Sequence, residues 1–207
     1  AVNGDGSNGG SAALTVSAGT FTFGAGANFT SSFSGGVTVN GTGSIEVKGG
    51  TTWANACALN GRPVNVTGGS FIAKNLTGPA TINVSGGTFG STNTFVAASS
   101  AGDVTRIDVA EGGTFVLRNI SAPSGDASIH VNGGTIRPAM NDTVYAGREW
   151  KGASVYVGAK GVTVDLEDSN AWGPCWYLPI SAESGVTDGG LIIRSPSNAR
   201  YFRLATD

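Results

Sequence analysis

His130 is the only histidine in this 207-residue chain, and its sequence setting suits acid–base chemistry at a surface. It stands between Ile129 and Val131, and apolar residues on both sides direct the imidazole to the outward face of a strand. Asp108 and Tyr156 occupy the same setting, each between two apolar residues. If these segments are neighbouring strands, a carboxylate, an imidazole and a phenol lie together as candidate acids and bases.

Arg106 shares the strand face of Asp108, two residues further on, and completes a set of four catalytic candidates with His130 and Tyr156. The set contains a single carboxylate, whereas glycoside hydrolysis uses a carboxylate pair and a Ca²⁺ site uses several acidic ligands. A Ser/His/Asp triad of Ser128, His130 and Asp108 is formally available, but a strand lacks the sharp turn that exposes a nucleophile. We therefore expect an ordinary solvated face, no enzyme activity, and no metal or cofactor.

A repeat defines the elements that position these residues. Seven segments contain two apolar residues separated by one variable residue, then a turn that is usually rich in glycine, a small residue and another apolar residue. The second apolar residue falls at positions 16, 39, 66, 84, 109, 131 and 157, with an average step of 23.5 residues. The alternation predicts short strands, and glycine supplies the positive φ of tight corners. Units this small cannot bury their own apolar face, so we predict an all-β parallel β-solenoid of about seven stacked coils.

Stacking the repeats in register predicts three ladders and two loops. The inward apolar ladder contains Phe21, Ile45, Phe71, Phe89, Phe115, Ile136 and Val162. The ladder of small residues before it contains Thr20, Ser44, Ser70, Thr88, Thr114, Thr135 and Gly161. The outward column contains Thr15, Thr38, Asn65, Asn83, Asp108, His130 and Tyr156. The two longer steps predict loops that project from the rod at 51–62 and 92–103.

The turn pattern resembles that of a known class of proteins. Val84 to Phe89 and Val131 to Ile136 follow a Val-x-Gly-Gly-Thr-apolar order, and Asp188 to Leu191 reads Asp-Gly-Gly-Leu. This punctuation is similar to that of autotransporter passengers and related bacterial adhesin-like surface proteins, which form right-handed parallel β-helices. The resemblance covers about residues 12–165. It implies a secreted or cell-surface bacterial location and a non-catalytic stalk, passenger or adhesin module that presents a binding surface.

Two other functions remain open at this stage. A carbohydrate-active β-helix, either a polysaccharide-binding module, a lyase or a hydrolase, would use the column of Asp108, His130 and Tyr156. A filament-forming structural subunit would use the unpaired strand edges at the two ends of the rod for end-to-end self-association.

The composition changes near the C-terminus. All four tyrosines and three of the four tryptophans lie between positions 145 and 201. We expect residues 1–11 to form a flexible leader, residues 12–165 the coils, and residues 166–207 an aromatic cap of the same domain. The alternative is a carbohydrate-binding platform, because flat rings with polar tips suit sugars. Its candidate residues are Trp150, Trp172, Trp176 and Tyr177.

Charge and apolar content narrow the range of partners. The net charge is −2 and basic residues do not cluster, so we expect no nucleic acid partner. No apolar run approaches 18 residues, so we expect no membrane insertion. A glycan or a host or cell-surface protein is the expected partner. Cys57 and Cys175 lie about five coils apart, beyond the reach of a disulfide, and we predict that both are unpaired.

Overall fold

The computed structural model describes residues 12–24, 30–139, 149–150, 153–166, 175–176, 178–194 and 203–204. Residues 149–150, 175–176 and 203–204 are described by their strand pairing alone. The described residues contain strands and no helix, which confirms the all-β prediction. In chain order the strands are β1 Ala13–Val16, β2 Thr20–Phe23, β3 Thr30–Phe33, β4 Gly36–Val39, β5 Ser44–Val47, β6 Thr51–Ala58, β7 Arg62–Val66, β8 Ser70–Thr77, β9 Ala80–Val84, β10 Gly87–Val96, β11 Val104–Ala110, β12 Gly113–Ser121, β13 Asp126–Asn132, β14 Thr135–Pro138, β15 Glu149–Trp150, β16 Ser154–Val157, β17 Val162–Asp165, β18 Cys175–Trp176, β19 Ile180–Ala182, β20 Leu191–Arg194 and β21 Arg203–Leu204.

The strands form two parallel sheets. Sheet I has the order β1-β4-β6-β8-β10-β12-β14-β17-β20, with β3, β15, β18 and β21 paired beside this path. Sheet II has the order β19-β16-β13-β11-β9-β7-β5-β2. Because each strand pairs with its counterpart one turn later, the described residues form a parallel β-solenoid of about six turns, close to the seven coils expected. The right-handed sense of the coil stays a prediction.

The long strands of sheet I bend around the rod. The start of β6 pairs with β3 and its end pairs with β4. Likewise, the start of β12 pairs with β14 and its end pairs with β15. Each long strand therefore has a first limb and a second limb, and together with sheet II they enclose the interior from three sides.

The interior is dry and contains stacked aromatic rings. The rings of Phe71 and Phe89 stack with centroids 5.6 Å apart and planes at 20°. Phe115 follows Phe89 in register, and all three side chains are fully buried. Burial of one such side chain contributes about 1.5–3 kcal/mol, so this ladder is a main source of stability.

The inward ladder is confirmed in its middle and wrong at its ends. Ile136 follows Phe115 in register, as expected. Phe21 and Ile45, however, lie in sheet II, where Ile45 pairs with Val64. The error arises because both sheets use a glycine turn followed by a small hydroxyl residue, so residue types alone do not distinguish the two corners.

At the other end of the ladder, Val164 rather than Val162 is in register with Ile136. The positive-φ residue Gly161 corresponds to Gly133, which has φ 84° against 75° for Gly161. The predicted alignment had instead placed Gly161 in the ladder of small residues, where Thr163 stands. Val162 is still buried, but one strand position is shifted by two residues.

The ladder of small residues has the same division. Thr20 and Ser44 pair in sheet II and share a hydrogen bond of 2.9 Å between their hydroxyl oxygens. The other hydroxyl members lie on the first limb of sheet I and are in register with one another. They are Ser70, Thr88, Thr114 and Thr135.

The first predicted loop is a strand, so that prediction is wrong. Residues 51–58 form β6, and Cys57 pairs with Val37. The long step in the repeat is therefore a half-coil shift between the two sheets. Residues 92–96 of the second predicted loop also belong to a strand, β10, and only 97–103 connect it to β11.

Both sheets continue beyond Asp165. The strand β19 pairs with β16, and β20 pairs with β17. The predicted division between coils at 12–165 and a cap at 166–207 therefore does not coincide with the end of the ladders. Ile192 and Ile193 in β20 are exposed.

One corner between the sheets requires glycine at successive turns. Gly69 and Gly87 both have positive φ, at 69° and 71°. A Cβ atom on Gly87 would lie 2.3 Å from the carbonyl oxygen of Gly69. The corner therefore stacks only when the side chain is absent.

Candidate functional site

The outward column of sheet II brings the predicted acid–base residues together. Asp108 pairs with His130, and His130 pairs with Tyr156, on three successive strands. Their predicted proximity is confirmed. Asn65 and Asn83 precede them in register. We call these five residues the sheet II column.

Two residues assigned to this column belong elsewhere. Thr15 and Thr38 pair with each other in sheet I. Thr22 and Glu46 occupy the corresponding positions in sheet II, ahead of Asn65. The half-coil shift that misplaced Phe21 and Ile45 also explains this error.

His130 is held on three sides. Its ring stacks on Tyr156, with centroids 4.8 Å apart and planes at 21°. Its Nδ1 atom is hydrogen-bonded to a carboxylate oxygen of Glu183. Its Nε2 atom lies 3.1 Å from the hydroxyl oxygen of Ser128. Only 16% of the His130 side chain is exposed, so the ring orientation is set by these partners.

Arg106 and Asp108 form a bidentate ion pair on the neighbouring strand. The Nε and Nη2 atoms of Arg106 donate to the Asp108 carboxylate over 2.7–3.0 Å. The hydrogen bond to Asp108 raises the pKa of Arg106, and the charges of Asp108 and Glu183 act in the same direction, whereas burial lowers it. The guanidinium therefore remains cationic, and the predicted sharing of a strand face is confirmed.

Glu183 is the site residue that the sequence analysis missed. It directly follows β19, and its backbone N–H donates to the Val157 carbonyl over 3.0 Å. The segment Ile180-Ser181-Ala182 is a weak copy of the apolar-variable-apolar pattern, 25 residues after the previous copy. Extending the repeat by this copy would have placed Glu183 beside the column.

A groove of about 340 Å³ lies along this end of the column. Its polar lining includes Arg106, Asp108, His130, Asn132 and Glu183, and Val186 contributes an apolar wall. Ser128 lies beside the groove, two residues before His130 on the same strand face. The groove therefore offers donors and acceptors to a polar ligand.

The upper part of the column is a hydrogen-bonded ladder. The Nδ2 atom of Asn83 donates to Oδ1 of Asn65 over 2.9 Å. A similar pair lies on sheet I, where Nδ2 of Asn93 donates to Oδ1 of Asn75 over 2.8 Å. The two amide pairs are chemically alike and differ in the surface to which they belong.

The predicted aromatic platform is only partly within the described residues. Trp150 and Trp176 are in register on β15 and β18. Trp172 and Tyr177 lie outside the described residues. The backbone pairing brings two of the four candidates to neighbouring rungs, and sugar binding by this set stays a prediction.

Cys57 is buried and free, as predicted for this thiol. Burial raises its pKa to about 12, which leaves it an inert core residue. Cys175 lies in β18, five strand steps from β6 along sheet I. At about 4.8 Å per step, this separation is far beyond the span of a disulfide.

Within the described ranges, no group of three or more His, Cys, Asp or Glu side chains is arranged to hold a metal ion. None of the described segments is a helix of the length and apolar character needed to cross a membrane.

Comparison of the chain with protein-family models, with curated proteins and with solved structures found no match. The parallel β-solenoid is therefore established by the strand pairing alone, and the resemblance to autotransporter passengers and adhesins stays a prediction.

Proposed function

We propose that this chain is a carbohydrate-binding β-solenoid module of a secreted or surface-displayed adhesin or passenger protein, and that it binds through the sheet II column. One observation carries the proposal. Five successive turns present five outward side chains that can all hydrogen-bond, and the last three of these border or line the groove. They are Asn65, Asn83, Asp108, His130 and Tyr156.

The chemistry of the column suits a hydroxyl-rich ligand. Amides, an imidazole and a phenol offer both donors and acceptors, as sugar hydroxyl groups require. The rungs repeat about every 4.8 Å along a straight line, so a linear polymer lying parallel to the rod meets a new contact at each turn.

The charges of the site favour a neutral ligand. The cation of Arg106 is neutralised by Asp108, and Glu183 adds a further negative charge. With His130 neutral, the groove has a net charge of −1. A neutral saccharide therefore fits better than a uronic acid polymer or another polyanion.

The stacked rings define how such a ligand is recognised. His130 and Tyr156 cover each other's faces, so their edges rather than that shared face are available. Recognition at this point therefore depends on hydrogen bonds. It differs from the ring stacking expected of the aromatic platform near Trp176.

An array of neutral and acidic oligosaccharides tests this proposal, with affinities of the bound glycans measured by calorimetry. We expect binding of a linear neutral glycan. Asn83→Ala should weaken it about 3- to 10-fold, the value of one hydrogen bond, and Asn93→Ala on sheet I should leave it unchanged. Both variants remove the same kind of amide pair, so stability effects are matched.

Two results would contradict the proposal. Equal losses from Asn83→Ala and Asn93→Ala would mean that the column does not contact the glycan. Loss of binding only in Trp172→Ala or Trp176→Ala, with an unchanged melting temperature, would move the binding surface to the aromatic platform. Loss of stability in those two variants would instead support their role as a cap.

The proposed display outside the cell is supported by the turn punctuation at Val84 to Phe89 and Val131 to Ile136. Protease treatment of intact source cells tests it. We expect the chain to be cleaved or released while a cytoplasmic marker remains intact, and protection of both would contradict external display.

A further inference from the structure

The two hydrogen-bonding partners of His130 occupy the ring nitrogens that acyl-transfer chemistry requires. The hydroxyl of Ser128 lies at Nε2, and the carboxylate of Glu183 lies at Nδ1. In a serine nucleophile site, the carboxylate holds the Nδ1 proton and fixes the tautomer, which leaves Nε2 free to accept the serine proton. The sequence analysis considered Asp108 as the carboxylate, but Asp108 is engaged by Arg106.

We propose that Ser128, His130 and Glu183 form a serine nucleophile site that hydrolyses carboxylic esters. Ser128 and His130 are the catalytic residues, and Glu183 is a positioning residue. This activity goes beyond glycan binding and stands without it. If the glycan carries acyl groups, the two functions would meet at one ligand.

The reaction follows from the contacts. The Ser128 oxygen forms a bond to the ester carbonyl carbon while its proton passes to Nε2 of His130. The carbonyl electron pair moves to the oxygen and returns as the bond to the alcohol oxygen breaks, and the alcohol takes the proton from His130. Water then attacks the acyl-serine, gives one proton to His130 and releases the acid. The proton on His130 returns to Ser128. The net change is ester and water to acid and alcohol.

Arg106 is placed to stabilise the negative oxygen. It is the in-register neighbour of Ser128 on the preceding turn. Its two hydrogen bonds to Asp108 use Nε and Nη2, so Nη1 lies outside that ion pair. Backbone N–H groups of a central strand are engaged in the ladder, and a side-chain cation takes the part of backbone oxyanion donors here.

The surroundings fit a small ester. Stacking on Tyr156 and the contact with Glu183 restrict the imidazole, as a preorganised base requires. The groove of about 340 Å³ beside His130 is at the small end of ligand-binding sites. Short acyl groups on small alcohols are therefore the substrate class.

Labelling with a fluorophosphonate and turnover of p-nitrophenyl acetate test the proposal on the full chain. We expect the label on Ser128, identified by peptide mass spectrometry. Ser128→Ala should abolish the label and lower kcat/KM at least 100-fold, as should His130→Gln. The control is Ser154→Ala, which removes the in-register hydroxyl on the next turn and should change neither measurement.

Glu183→Gln separates positioning from a structural role, because it keeps a hydrogen-bonding group and removes the charge. We expect kcat to fall at least 10-fold with KM within twofold. An unchanged kcat would exclude Glu183 from the site.

Three results would overturn the proposal. They are absence of label on Ser128 in the unmodified chain, unchanged ester turnover in Ser128→Ala, and turnover lost in His130→Gln but retained in Ser128→Ala, which would make the imidazole itself the nucleophile. Peptide mapping of the unmodified chain gives a result even if a variant fails to fold. Glycan binding by the column would be unaffected by any of these results.

Discussion

The two sheets present outward columns of different character. On the first limb of sheet I, a hydroxyl side chain recurs at every turn from β6 to β17, in the order Thr51, Ser70, Thr88, Thr114, Thr135 and Thr163. The sheet II column changes between amide, carboxylate, imidazole and phenol over the same length. A uniform column stabilises a stack at every turn, whereas a varied column defines a local surface. The site therefore lies where the repeat departs from its own pattern.

The largest expected effect concerns the core behind the sheet I column. Phe89→Ala should lower the free energy of unfolding by about 3–5 kcal/mol, because a fully buried ring stacked on Phe71 leaves a cavity. Thr88→Ala, on the outward side of the same strand, is the control and should cost less than about 1 kcal/mol. Chemical denaturation measures both, and equal losses would contradict the division between core and column.

Second in size is the glycine corner that separates the two sheets. Gly61→Ala should cost about 1–2 kcal/mol, since its φ is positive at 78° but a Cβ there meets no atom within 4 Å. Gly87→Ala should cost more, because the same φ penalty is joined by a backbone clash with Gly69. Thermal unfolding compares them. Similar costs would show that the corner does not stack as described.

The buried thiol behind the second limb of sheet I should make stability depend on pH. Burial raises the Cys57 pKa from 9.0 to about 12, so the unfolded chain loses this proton first and stability falls as pH rises from 9 towards 12. At pH 10 the loss is about 1.4 kcal/mol. The difference between the unmodified chain and Cys57→Ala should shift by this amount between pH 8 and pH 10. A constant difference would contradict burial of the thiol.

The smallest expected effect on stability is at the column itself. Asn83→Ala removes one partly exposed amide hydrogen bond and should lower the free energy of unfolding by less than about 1 kcal/mol. Denaturant titration measures it. A loss as large as that of Phe89→Ala would show that the column is structural rather than a surface for binding.

Much of the column could be predicted from sequence. Ile or Val on both sides of Asp108, His130 and Tyr156 fixes the direction of each side chain, and the regular step between the segments places them on adjacent strands. Arg106 follows from the two-residue period of a strand. These predictions needed only local alternation and a correct count of turns.

The rest depended on information that the pattern does not contain. Phe21 and Phe71 follow similar glycine turns, yet they lie in different sheets, because the shorter coils at β5 to β9 shift the register by half a turn. Glu183 follows a degraded copy of the repeat, and its contact with His130 spans 53 residues. Local alternation does not specify such a distant pair.

The most direct measurement of the central claim is an amide ¹H–¹⁵N NMR titration of the chain with the tightest-binding neutral oligosaccharide from the array. We expect shift changes concentrated in β9, β11, β13 and β16 and around Glu183. Changes confined to the sheet I strands β8, β10 and β12, or to residues 175–204 outside Glu183, would contradict the assignment of the binding surface to the sheet II column.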